Sequence, residues 1–198
     1  MKKLFLMMCL VSFSAKAEDA VRQLPPPALD TGVTLAQAIK NRKTTRYFSP
    51  VKKLSDQTLS DVLFVAWGMT RDGKRTVPTA RNLQHMRVFV VERDATWHYD
   101  ARQNALLPVA PLYEYLGARG PFADAPVHLL YISTVDDDRF APFHAGAMAQ
   151  NVSLYATAAG LNQTIRGGGL DREGIQKVLK LDDDDQVIAA HALGYPVE

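Results

Sequence analysis

The chain has 198 residues, with 23 basic against 21 acidic side chains, a formal charge of +2, and 47% hydrophobic residues. That balance excludes collagen-like and intrinsically disordered chains, and the length predicts one domain, two at most. Residues 1–17 read as a secretory signal peptide: Lys2 and Lys3, an apolar run from Leu4 to Phe13, then Ala15-Lys16-Ala17 as a small-x-small cleavage site. The run is too short to span a membrane, so no membrane span is expected after cleavage following Ala17. No Arg-Arg pair precedes it, which predicts export in the unfolded state. Cleavage removes Cys9, the sole cysteine. The mature chain therefore has no disulfide, thiolate nucleophile or cysteine-ligated metal.

Residues 18–33, with Pro25-Pro26-Pro27, read as an extended arm, and a single domain is expected over 34–198. Thr34 is placed to cap a short helix through Leu35, Ala38 and Ile39 to Asn41. Ser55 is placed to cap a second helix, in which Leu59, Val62, Leu63, Ala66 and Trp67 form a buried stripe that Gly68 ends. Met86 to Glu92, Trp97 to Tyr99 and Ala105 to Val109 read as strands, and Pro111 to Leu116 as a helical turn. Val127 to Thr134 is a further strand. Phe143 to Ala159 is the longest helix, rich in alanine and stopped at Gly160, so a close neighbour is expected. Gln163 to Arg166 reads as a short strand, Asp171 as the cap of a helix through Ile175, Val178 and Leu179, and Val187 to Leu193 as a closing strand. Strands and helices mix without strict alternation, which predicts an α+β fold.

Three segments are candidates for chemistry. Arg42-Lys43-Thr44-Thr45-Arg46 offers forked guanidinium donors and hydroxyls, the donor set a phosphate dianion needs. Between Lys40 and Arg93 there are 12 basic and 4 acidic residues, which points to an anionic ligand. Nucleic acid is set aside for an exported chain, and a small phosphorylated molecule fits better. Arg75 to Gln84 holds Pro78-Thr79-Ala80-Arg81-Asn82, a polar loop able to lie against a flat heterocycle. Gly160 to Gly169 ends in three consecutive glycines, which let a backbone approach a ligand closely. It is neither a dinucleotide fingerprint nor a P-loop. No histidine pair has metal-ligand spacing, and no metal site is expected. His128 and His191 read as core residues in strands, and His144 opens the long helix and is a candidate to face the pocket. Asp136-Asp137-Asp138 and Asp182 to Asp185 read as solvated turns rather than calcium loops. There is no G-x-S-x-G.

Taken together, these segments resemble the nitroreductase-like family of flavin enzymes from about Thr34 to Pro196. The resemblance is carried by Ala38 to Phe48, Leu59 to Gly68, Pro78-Thr79-Ala80, Ala149-Gln150-Asn151 with Ala158-Ala159-Gly160-Leu161, and Leu193-Gly194-Tyr195-Pro196. Within the family the chain most resembles the SagB-type dehydrogenase branch. The resemblance implies an α+β sandwich with a central mixed β-sheet flanked by helices, and an intertwined homodimer with flavin mononucleotide (FMN) at its interface. It implies that Arg42, Lys43, Thr44 and Arg46 contact phosphate and ribityl, and that Pro78, Thr79, Ala80 and Asn82 reach the isoalloxazine from the partner subunit. It implies that Ile165, Arg166 and Gly167 flank the flavin N5 edge. The expectation is an exported FMN-dependent oxidoreductase moving two electrons, as hydride, to or from a small, planar substrate. Because nicotinamide cofactors are scarce outside the cytoplasm, a periplasmic electron-transfer partner or a directly oxidised substrate is expected in their place. The same residues admit a second reading: a non-catalytic flavin- or small-molecule-binding dimer that retains the fold.

Overall fold

The computed structural model describes residues 20–134 and 139–197, without the side chain of Asp72. The signal segment and the Asp136 to Asp138 turn lie outside these residues. Helix α1 (Leu35–Asn41) starts at a capping box in which Thr34 and Gln37 each bond the other's backbone. Helix α2 (Asp56–Trp67) is capped by Ser55, whose hydroxyl accepts from the Thr58 N–H. Helix α3 (Ala141–Ala158) begins two residues before the expected start, because Pro142 is tolerated in a first helical turn. Helix α4 (Arg172–Leu179) is capped by Asp171. Each cap satisfies backbone N–H groups that the helix itself leaves without acceptors.

The strands are β1 (Arg22–Gln23), β2 (Met86–Val91), β3 (Thr96–Asp100), β4 (Ala105–Val109), β5 (Val127–Ser133), β6 (Asn162–Arg166) and β7 (Gln186–Gly194). They form one sheet in the order β1-β4-β3-β2-β5-β7-β6. Every described pairing is antiparallel, so the sheet is not mixed as the resemblance implied. The physical reason lies in the connections. β2, β3 and β4 follow one another through short turns, which join only antiparallel neighbours, and β7 returns between β5 and β6 against both.

Side-chain alternation along β5 splits the core in two. Leu129 and Tyr131 pack with Leu59, Val62 and Leu63 of α2 and Met148 and Val152 of α3. Leu130 and Ile132 pack on the other face with Ile175 of α4 and Leu112 and Leu116 of the adjoining 3-10 turn. All seven residues of β5 are buried, as expected of a strand covered on both faces. The alanines of α3 serve the purpose anticipated: Ala145, Ala149 and Ala156 are buried where α3 packs against α2 and the sheet. Asp61 of α2 ties the N-terminal arm to this layer, accepting from the Ala28 N–H at 2.6 Å and the Tyr155 hydroxyl at 2.8 Å.

Two glycines govern how the second layer closes. Gly117 has φ of +56° and Gly169 has φ of +75°, and a Cβ on Gly117 would overlap the Gly169 carbonyl oxygen. Gly117→Ala therefore combines a left-handed backbone penalty with a backbone clash, and is expected to destabilise the fold by about 2–4 kcal/mol. Urea denaturation measures this. A midpoint within error of the parent would show that the two loops do not meet.

Candidate functional site

The way α3 ends decides where β6 begins. Gly160 takes φ of +71°, and the Leu161 N–H returns to the Ala156 carbonyl oxygen at 2.8 Å. That is a Schellman closure, which turns the chain sharply and buries Leu161. β6 then lies at the end of the sheet order, with its outer side open. The segment after α1 fills that side. The Thr45 N–H donates to the Gln163 carbonyl oxygen at 2.9 Å, and the Gln163 N–H donates to the Thr45 hydroxyl at 2.8 Å. Asn162 Nδ2 donates to the Tyr47 carbonyl oxygen at 2.6 Å. Phe48 is buried beside Ala125 and Ala192 and anchors the segment's end. With Thr45 turned inward, Lys43, Thr44 and Arg46 are exposed and Arg42 is half-buried.

A buried polar network stands behind this segment. Gln163 Oε1 accepts from the Ser153 hydroxyl at 3.1 Å and pairs with His191 Nε2 at 2.8 Å. Gln163 Nε2 donates to the Lys43 carbonyl oxygen at 3.0 Å. An acceptor at Nε2 places the proton of neutral His191 there, leaving Nδ1 to accept from the Tyr131 hydroxyl at 3.2 Å. Burial pushes the His191 pKa down to about 3, so the ring stays neutral. Sequence reading named His191 as a core residue but did not find Gln163. A lone glutamine in a strand carries no local signal, because its partners lie far away in the chain. Gln163→Leu removes the partner of the Lys43 carbonyl oxygen, the Ser153 hydroxyl and His191 Nε2, and loosens the cationic segment. The expected result is a loss of roughly 1–3 kcal/mol of stability from the stranded groups. Urea denaturation checks it, and an unchanged midpoint would show that Gln163 does not hold the segment.

Past β6 the chain turns through Gly167, Gly168 and Gly169. Arg172 secures the corner, donating to the carbonyl oxygens of Gly167 at 2.5 Å and Val187 at 3.0 Å. Ile165 is 42% exposed, and a Cβ on Gly168 would meet nothing within 4 Å. Arg46, Ile165 and Arg166 line one cavity of about 280 Å³. Of the candidates read from the sequence, the cationic segment and the Ile165 to Gly167 corner thus come together within a single chain.

The Pro78 to Asn82 loop is held elsewhere, at the N-terminal end of α3. The Ala80 N–H donates to His144 Nε2 at 2.9 Å, and His144 Nδ1 lies 3.3 Å from His85 Nε2. The two rings meet edge to face at 5.0 Å. His144 therefore steadies this loop from below. Three non-glycine residues in the loop and just after it take left-handed φ: Arg81 at 52°, Asn82 at 56° and Gln84 at 49°. The Gln84 N–H donates to the Thr79 hydroxyl at 3.1 Å, and Gln84 Oε1 accepts from Arg75 Nε at 3.1 Å. Such a run of unfavourable dihedrals persists only where its surroundings over-determine it. No sequence signal marked it, since only Asn82 is a residue type at ease there.

The model of the nitroreductase family matches residues 39–195, most of the chain. The chain belongs to the nitroreductase family. A candidate nitroreductase of Methanocaldococcus jannaschii is 28% identical over 167 residues, covering 72% of this chain and 82% of that protein. The crystal structure of a candidate nitroreductase from Ralstonia eutropha JMP134 superposes with a TM-score of 0.81 at 25% identity, covering 92% of each chain. An FMN-dependent nitroreductase from Clostridium difficile R20291 shares the fold at a TM-score of 0.58 and 17% identity, covering 81% of this chain and 87% of that one. For this nitroreductase family member, the donor set fits a flavin phosphate. Among the described residues, Arg42, Lys43 and Arg46 make no salt bridge, and the backbone at Gly168 stands open, a Cβ there meeting nothing within 4 Å.

Proposed function

We propose that the protein is an exported, homodimeric, FMN-dependent oxidoreductase of the SagB-type branch, acting on a small planar substrate. The observation that carries this reading is the pairing of Thr45 with Gln163, which sets the free cations of residues 42–46 beside the Ile165 to Gly167 corner. Bound FMN would supply two-electron hydride chemistry. The chain's own part is to bind and orient it. Arg42, Lys43, Thr44 and Arg46 hold the phosphate and ribityl, the backbone of Ile165 to Gly167 borders the ring, and Gln163 keeps the two segments in register.

Support for the dimer comes from α1. Leu35 is 66% exposed and Ile39 58%, immediately before Arg42. Leu29, Val33, Phe64 and Leu154 line an adjoining groove of about 350 Å³. Contiguous exposed apolar surface of this kind marks an association face. A partner seated there brings a second copy to the edge of the cation segment, which is where a loop such as Pro78 to Asn82 from that copy would act. Support for a periplasmic or secreted location comes from reading residues 1–17 as a signal segment cleaved after Ala17, and either a periplasmic electron-transfer partner or a directly oxidised substrate would supply the electrons.

Native mass spectrometry of protein taken from the periplasm tests these points together. The expected mass is that of two chains beginning at Glu18 with two FMN molecules. A monomer without flavin, together with no visible-spectrum change on adding micromolar FMN, would end the reading. If flavin binds but reoxidises after photoreduction only at the rate of free flavin, the protein is a binding module rather than an enzyme.

A further inference from the structure

Three arginines line one cavity that has no carboxylate in its wall. The cavity of about 280 Å³ is lined by Arg46, Arg119 and Arg166, with Pro121, Phe122, Thr164 and Ile165 completing the wall and no Asp or Glu among its lining residues. Among the described residues, none of the three arginines makes a salt bridge. Arg46 and Arg119 are exposed at the cavity rim. Arg166 is fixed inside. Its Nη2 donates to the Leu116 carbonyl oxygen, and its guanidinium carbon lies 3.8 Å from the Phe122 ring centroid. Its Nη1 stands 3.2 Å from where a Cβ on Gly169 would be, so the bare Gly169 is what admits it. Its Nε is buried with no hydrogen-bond partner among the described residues.

The surroundings give this charge a carbonyl oxygen and a ring face but no anion. His128 lies beneath Phe122, ring centroids 4.6 Å apart, fully buried. Burial first, and the charge of Arg166 second, hold its pKa down to about 3, so it is neutral and contributes no counter-charge. A partly buried cation with no carboxylate beside it is stabilised when an anion reaches it. A forked guanidinium matches a planar oxyanion in two hydrogen bonds. The apolar wall of Phe122 and Ile165 suits an unsaturated body attached to that anion.

We propose that this cavity binds the carboxylate of a small planar acid, with Arg119 and Arg166 as the recognising groups. Its role as the substrate site rests on the flavin reading above, whereas its role as a carboxylate site rests on the cavity alone. The inference narrows the substrate class from small planar molecules to small planar acids.

Calorimetry on the whole protein tests it, with benzoate as probe, benzamide as its uncharged counterpart, and inorganic phosphate as the competing oxyanion. Benzoate is expected to bind both flavin-free and FMN-loaded protein, and benzamide about tenfold or more weaker. Arg119→Gln alters an exposed side chain and so keeps the fold; it is expected to weaken benzoate about tenfold. Arg166→Gln is expected to weaken it at least as much. Equal affinity for benzoate and benzamide, or an Arg119→Gln variant that binds benzoate normally, would overturn the proposal. Displacement of benzoate by FMN, or tighter binding of phosphate than of benzoate, would also overturn it and give the cavity to the cofactor's phosphate. Benzoate binding by a protein that takes up no FMN would sustain the carboxylate site while removing the flavin reading.

Discussion

Acidification from pH 7 to about pH 4.5 is expected to remove about 5 kcal/mol of stability, enough to unfold an ordinary domain. The cause is two histidines buried in neutral form. His128 and His191 are fully buried, and burial lowers each pKa from 6.5 to about 3. Below pH 6.5 the unfolded chain takes up protons on these rings and the folded chain does not. The stabilisation is therefore complete above pH 6.5 and is lost as the pH falls towards 3. Each ring contributes roughly 1.4 kcal/mol per pH unit within that window, and the two together about 3 kcal/mol. His98 is also pushed down, by burial first and by Arg87 second, and acts in the same direction. Circular dichroism melts at successive pH values measure the slope. His128→Leu is the informative variant: neither ring nitrogen of His128 has a hydrogen-bond partner among the described residues. Leucine there strands little and should roughly halve the slope. A melting temperature independent of pH between 7 and 5 would contradict the burial of both rings.

Replacing both Arg42 and Arg46 by Gln is expected to weaken FMN binding by roughly 10²–10⁴-fold while leaving the flavin-free melting temperature unchanged. Each charged hydrogen bond to a phosphate is worth about 1.5–3 kcal/mol, and two are removed. Stability is spared because Arg46 is exposed, Arg42 is only half-buried, and neither makes a salt bridge among the described residues. Riboflavin separates the phosphate from the ring. Its affinity, measured by fluorescence quenching, should fall far less than that of FMN. Equal losses for the two flavins would place these arginines elsewhere on the cofactor, and no loss for either would exclude them from its site.

These experiments bear on different parts of the molecule. The acid response reads the core, the double arginine variant reads the proposed cofactor anchor, and the benzoate titrations read the cavity that Arg46 shares with Arg119 and Arg166. A flavin-binding protein that ignored benzoate would keep the oxidoreductase reading and lose its acidic substrate.

Much of the fold was legible because it is written locally. Thr34, Ser55 and Asp171 act within one helical turn, and each caps the helix that its spacing implied. The buried stripe of α2 repeats every three to four residues and needs no knowledge of what it packs against. Cation-rich and glycine-rich segments were equally visible, as was the order in which they occur. What the sequence by itself determined is therefore the four helices, six of the seven strands and the chemical character of the loops, with β1 left inside the extended arm and the start of α3 two residues late.

Only the tertiary structure decided who meets whom. It joined Thr45 to Gln163 across 118 residues and Arg166 to Leu116 across 50. It paired the strands antiparallel throughout and held the Pro78 to Asn82 loop on His144. It also brought Arg119, on a segment with no motif, beside Arg46 and Arg166. The physical reason is range. Caps and amphipathic stripes act over three or four residues of covalent neighbourhood. A sheet edge, a buried glutamine or a guanidinium with no anion beside it takes its meaning from groups that come near only when the whole chain has packed.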